Sequence, residues 1–246
     1  MLRPTLSLAC ISALVAAAQP GLQAAQVIFI DFGGTNITST GAAPNDPSNT
    51  WNNLPTTVSL TDSGLQSGLV ASDNSPTTVG LQMVRRFNGV NENGTQASTV
   101  FAANATRDSL FGNTATFNSL SNVFPAFKLT NLDSNSVYSL TFYASRTGVG
   151  DNRETQYDIA GAGASVAFLN AANNIDGFAT VTGIQPDGSN EIAISITPGP
   201  NNTNPNTAFT YLGVLKIEAQ PVPEPASGLL ALAGGLWLSA RRRRLA

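Results

Sequence analysis

The chain contains no histidine, and among its 246 residues there is one cysteine, Cys10. Histidine-based triads and Cys/His zinc sites are therefore excluded. A lone thiol also excludes an internal disulfide. Lysine occurs only at Lys128 and Lys216 before the C-terminal end, and Asp, Glu, Lys and Arg together make up just 11% of the residues. No Gly-Lys phosphate loop appears. Almost no segment carries the 3.6-residue period of an amphipathic helix.

The charges that are present are unevenly placed. Arg3, Arg241, Arg242, Arg243 and Arg244 occupy the ends, so residues 26–220 keep 7 of the 12 basic side chains and 14 of the 15 acidic ones, a net charge of −7. An acidic domain lacks the electrostatic footprint of a nucleic-acid binder, so no nucleic-acid partner is expected. The same span is long enough for one domain with a real core.

Both ends read as addresses. Arg3, an apolar run over 6–18 and small residues at Ala16, Ala17, Ala18, Ala24 and Ala25 make residues 1–25 a signal peptide, which would carry Cys10 away on cleavage. At the other end, residues 221–246 have three parts in order. Val222, Pro223, Glu224 and Pro225 refuse helix, because each proline fixes φ and lacks an amide donor. An uncharged apolar stretch over 226–240 follows, short against the roughly 20 residues of a permanent span. Arg241 to Arg244 then hold the terminus on the cytoplasmic side.

That order closely resembles the PEP-CTERM sorting signal. The resemblance implies export across the inner membrane of a Gram-negative bacterium and transient membrane insertion through the C-terminal helix. It also implies partners: the Sec translocon, signal peptidase and an exosortase that recognises Val222 to Pro225. The final location would be the cell surface or the extracellular space, after C-terminal processing.

Residues 26–220 read as short strands divided by polar turns. Strand-like runs cover 27–32, 79–87, 123–129, 137–144, 155–160, 165–169, 178–183, 191–197 and 209–218. In 137–144, Val137, Ser139, Thr141 and Tyr143 share one face, and Tyr138, Leu140, Phe142 and Ala144 the other. Pro125 makes its run an edge strand or places the proline where the strand begins. Residues 41–50, rich in Pro, Asn and Ser, read as a loop. The fold class expected is all-β, an antiparallel β-sandwich. The segment from Phe127 through Leu132 and Tyr138 to Arg146, with the late runs 184–196 and 209–218, resembles galactose-binding-like jelly rolls and carbohydrate-binding modules. There the last strand returns beside the first.

Two constellations are candidates for ligand binding. Asp151, Asn152, Arg153 and Glu154, with Arg146 shortly before them, form the densest polar cluster. They could pair with sugar hydroxyls from a loop at one end of the sandwich. The ordinary alternative is a solvated hairpin held by an Arg–Glu ion pair. Trp51, the one tryptophan of residues 26–220, lies beside Asn52 and Asn53. Its indole could stack on a sugar or serve in the core with one partner for its N–H. By the jelly-roll resemblance alone, Asp31 and Asp62 are candidate calcium ligands; no other cofactor is expected.

The expectation is a non-enzymatic surface or matrix protein that associates with exopolysaccharide. A carbohydrate-active lyase or hydrolase, or a protein-interaction module of the matrix, are the alternatives. Fourteen acids between the two ends make a catalytic carboxylate pair always imaginable, so spacing alone does not point to one.

Overall fold

The computed structural model describes residues 25–34, 41–43 and 46–222. The leader before Ala25, the motif from Pro223 onward and Arg241 to Arg244 lie outside the described residues. Among the described residues no helix is long and apolar enough to cross a membrane.

Alternating apolar and polar side chains pleat the chain into strands β1 (Gln26–Asp31), β2 (Gly41–Ala43), β3 (Asp46–Asn53), β4 (Leu65–Gln66), β5 (Gly80–Arg85), β6 (Gly89–Asn91), β7 (Ser109–Gly112), β8 (Ala126–Thr130), β9 (Ser136–Tyr143), β10 (Glu154–Ala160), β11 (Ala164–Asn170), β12 (Ala179–Ile184), β13 (Ile192–Pro198), β14 (Thr210–Leu212) and β15 (Val214–Pro221). Two helical turns interrupt them, α1 (Thr56–Ser59) and α2 (Ala103–Thr106).

One six-stranded sheet runs β12-β9-β15-β1-β3-β2, and a second runs β11-β10-β13-β8-β5-β4. A three-stranded sheet, β14-β7-β6, accompanies them. The last strand lies beside the first, with Gln26 opposite Ala219 and Asp31 opposite Val214. The antiparallel expectation needs one correction: β1 and β3 are parallel, with Phe29 opposite Trp51. The 21 residues between Phe29 and Trp51 let the chain cross back before pairing, which no tight hairpin could do.

The inner faces of the two large sheets form one apolar core. Tyr138, Leu140, Phe142 and Ala144 point into it from β9 and the residue that follows it. Tyr157, Ile159, Ile192, Ile194 and Ile196 enter from the second sheet. Phe142 stacks on Tyr157 with ring centroids 4.3 Å apart and planes 11° apart. Tyr143 faces the other way. With Trp51, Phe101, Ala102, Ala105 and Val214 it makes a smaller cluster on the outer face of the first sheet. The segment carrying α2 covers that face.

One further reading of the sequence is corrected. Residues 41–50 are not simply a loop, because β2 and most of β3 lie there. Polar composition hid them, since Trp51 is the one described side chain of β3 that enters a core. Of the two readings of Pro125, strand entry is the one that holds, since β8 pairs with both β13 and β5 and is no edge. Pro125 stands just before it, so the missing amide falls outside the ladder, and its carbonyl accepts the Ile196 amide at 2.9 Å.

Replacing Phe142 with alanine should lower unfolding free energy by about 3–5 kcal/mol. Urea denaturation followed by far-UV circular dichroism measures this. A loss below about 1 kcal/mol would mean that the stacked pair does not bridge the sheets.

Candidate functional site

At the end of the sandwich where β6, β7 and β14 meet the loop between β9 and β10, an open cavity of about 490 Å³ forms. One wall is aromatic. Phe111, Phe117 and Phe209 meet edge to face, with centroids 5.1–5.6 Å apart. Phe117 is 41% exposed, so part of this wall faces solvent. The polar lining includes Arg146, Arg153, Tyr211 and Glu92.

Each polar group is held differently. The Arg153 Nε donates to Asp151 Oδ1 at 3.0 Å, and its Nη1 donates to the Tyr211 hydroxyl. Its guanidinium also lies over the Phe209 ring, 5.4 Å from the centroid, and over Tyr211 at 5.9 Å. Such contacts favour a flat, weakly hydrated cation. Asp151 is fixed from behind by Asn204, whose Nδ2 donates to Oδ2 at 2.5 Å. The Arg146 Nη1 donates to the Thr147 carbonyl at 2.7 Å, and no carboxylate pairs with Arg146 among the described residues. Glu92 is exposed and has no partner among them.

Burial raises the Tyr211 pKa, and the two arginines pull against it. Tyr211 therefore stays a neutral hydroxyl. Burial alone would also raise Asp151, but hydrogen bonds from Arg153 and Asn204 outweigh it and hold its pKa below the usual aspartate value.

The other sequence candidates lie in the framework. Asn152 Oδ1 accepts the Glu154 amide at 2.8 Å, which closes the turn. Glu154 accepts the Asn201 amide at 2.9 Å and the Asn201 side-chain amide at 3.1 Å. The turn's ion pair is thus Arg153 with Asp151, not an Arg–Glu pair. Trp51 is 2% exposed, stacks on Phe29 at 4.8 Å and donates from Nε1 to Asp46 at 3.1 Å. Asn52 is buried, donating to the Phe29 and Val70 carbonyls and accepting the Val70 amide. Neither presents a face to a ligand.

The carboxylates proposed for calcium are separated in the same way. Asp62 Oδ1 accepts the Arg86 amide at 2.8 Å. Asp31 is buried at the end of β1, where its neighbour is Asp108. Burial first, and the Asp108 charge second, push its pKa well above the ordinary range. Among the described residues no group of three or more His, Cys, Asp or Glu side chains is placed to hold a metal.

Sequence reasoning missed Phe111, Phe117, Phe209, Tyr211 and Glu92. Phe209 and Tyr211 are two residues apart, so an extended chain puts both on one side, and that spacing was available. Nothing local linked them to Arg146 and Arg153.

No protein-family model matches the chain, and no curated protein does. Several solved structures resemble it in part. One is TmCBM61 in complex with β-1,4-galactotriose: 8% identity, 59% of this chain and 86% of that one, TM-score 0.28. Another is the ANXUR2 extracellular domain from Arabidopsis thaliana: 15% identity, 70% and 59%, TM-score 0.36. A third is the enzymatically active domain of tailspike protein 4 from bacteriophage CBA120: 10% identity, 71% and 23%, TM-score 0.26. This chain thus spans little more than half of the receptor ectodomain and about a quarter of the tailspike chain.

Because the Asp151 pKa is depressed in the folded state, its contribution to stability is present above the unfolded value and is lost as pH falls through the folded one. Protection of the 146–154 amides against hydrogen exchange, taken relative to the intrinsic rate at each pH, should therefore fall below about pH 4. Asp151→Asn should exchange quickly at neutral pH and lose this acid-dependent step. An unchanged pH profile in that variant would show that Asp151 does not hold the loop.

Proposed function

We propose that this is an exported, non-enzymatic protein that binds extracellular polysaccharide through the Arg146–Arg153–Tyr211 cavity of a galactose-binding-like jelly roll. One observation carries the reading: guanidinium, phenol and carboxylate groups line the same open cavity as the exposed Phe117 ring. Sugars present apolar C–H faces and paired hydroxyls, and such a site offers partners for both. Glu92 is the one carboxylate among the lining residues. Two-carboxylate hydrolysis would need a second, and Asp151 is occupied by Arg153. In this reading Val222 to Pro225 are the exosortase recognition element, and processing there sets the final location. Val222, the last described residue, donates its amide to the Asn135 carbonyl at 2.8 Å and keeps its side chain 42% exposed.

A glycan array with the purified protein tests the binding, followed by titration calorimetry on any glycan retained. Arg146→Ala should weaken that binding about 10–100-fold, the loss of a hydrogen bond to a charged group. Trp51→Phe should lower stability and leave affinity nearly unchanged. An array blank even at high protein concentration would sink the proposal. Replacing Pro223, Glu224 and Pro225 with alanine should leave an uncleaved, membrane-retained form, seen by fractionation; normal release would count against the sorting reading.

A further inference from the structure

A sheet edge carries unpaired amides and carbonyls, and most edges of this fold are blunted. β4 is two residues long, and β2, β6 and β14 are three each. β12 is broken by a bulge between Val181 and Ile184, where Gly183 sits at φ 73°. β11 differs. It closes the second sheet over seven residues, in unbroken register with β10 from Ala164 to Asn170. The strand holds no charged residue, no proline and no bulge. β12, the next strand of the chain, belongs to the other sheet and does not pair with it. Val166 is 48% exposed and Phe168 44%.

The ladder fixes which backbone groups of β11 are free. The Ala171 amide donates to the Arg153 carbonyl at 3.3 Å, one step beyond the Glu154–Asn170 pair. Bonded pairs alternate along an antiparallel ladder, so Thr155–Leu169, Tyr157–Ala167 and Ile159–Ser165 exchange hydrogen bonds. The far side of β10 agrees: the Gly199 amide reaches the Glu154 carbonyl at 2.9 Å, so the residues between these serve β13. The amides and carbonyls of Ala164, Val166, Phe168 and Asn170 therefore point away from β10. All four residues are exposed, and none of these backbone groups meets another element among the described residues.

We propose that β11 pairs antiparallel with β11 of a second copy of this chain, about a twofold axis at Ala167. That register brings all four outward residues into bonded pairs, with Val166 opposite the second copy's Phe168 and Ala164 opposite its Asn170. Val166 and Phe168 then form a cross-strand β-branched–aromatic pair on each side of the axis. Charge selects the same register. On the outer face Asp158 stands beside Val166, Gln156 beside Phe168, Glu154 beside Asn170 and Ala160 beside Ala164. Continued across the axis, the row of Asp158 ends in the second copy's Gln156, and that of Glu154 in its Ala160. Sliding the strands by two residues either way would put two carboxylates in one row and leave one pair unmade. A second copy of an acidic domain is repelled at most of its surface, but not along this uncharged strand. Pairing consumes the edge and the other edges are blunted, so assembly closes at two copies.

Sedimentation equilibrium and residue-resolved hydrogen exchange on the full-length chain test the pairing. A nonionic detergent keeps the apolar stretch over 226–240 from associating. Between about 1 and about 100 μM protein the particle should pass from one copy to two. Over the same range the amides of Ala164, Val166, Phe168 and Asn170 should gain protection. Those of Ser165, Ala167 and Leu169, bonded to β10, should be protected throughout. Val166→Pro removes an amide that only the second copy uses, so it should stay folded by far-UV circular dichroism and dimerise at least about tenfold more weakly. Phe168→Lys, which charges the edge without touching the backbone, should do the same and serves if Val166→Pro fails to fold. Val84→Lys, at an exposed position on β5, should dimerise as the native chain does. A chain still monomeric at about 100 μM would overturn the proposal. So would a dimer whose four outward amides exchange as in the monomer, native-like dimerisation of Phe168→Lys, or growth past two copies.

Discussion

Tyr157 connects the core to the cavity. Its ring stacks on Phe142 across the sandwich, and its hydroxyl donates to the Tyr211 carbonyl at 2.7 Å. A buried phenol must find an acceptor, and burial raises its pKa so far that it remains a donor. The acceptor it finds belongs to β14, the strand that carries Tyr211 and follows Phe209. The same interaction that closes the two sheets therefore sets the position of the aromatic wall. Thr155 adds a second tie, its hydroxyl accepting the Tyr211 amide at 3.0 Å. The cavity is built on sheet geometry, although loops supply its arginines.

How much could be read in advance follows the range of each interaction. Alternation in 137–144 located both the strand and its inner face, because side-chain direction depends only on neighbouring residues. The pairing of the last strand with the first came from the jelly-roll resemblance, since no local rule links residues nearly 190 positions apart. β2, β3, β6 and β7 were not legible. They are short or polar, so their extended form is imposed by the sheet rather than by propensity. Among the site residues, Arg146 and Arg153 were found because they are close in sequence. Trp51 was ambiguous for a physical reason: an indole suits a sugar and a core equally. Phe29 on the parallel neighbour, with Phe101 above it, settles its role.

The outer face of the first sheet shows how a sandwich handles a large residue on its wrong side. Tyr143 and Trp51 point away from the main core and would expose their rings. The segment with Phe101 and α2 folds over them, and the Tyr143 hydroxyl reaches the Ile175 carbonyl at 2.9 Å. That covering segment then runs on to Asp108 and β7. The covering segment, Asp108 of the buried acid pair and Phe111 of the cavity wall thus lie along one continuous stretch of chain.

The placement of β15 has a mechanical meaning. It lies between β1 and β9, with β1 opposite Gln26-facing Ala219 and β9 opposite it from Val214 to Pro221. Tension arriving along the chain at Val222 runs down the axis of this strand. It meets two ladders at once, and their hydrogen bonds lie across the direction of pull. The bonds must then slip together instead of parting one by one. A domain pulled from this end would resist being drawn out, because both ladders would have to shear as a unit.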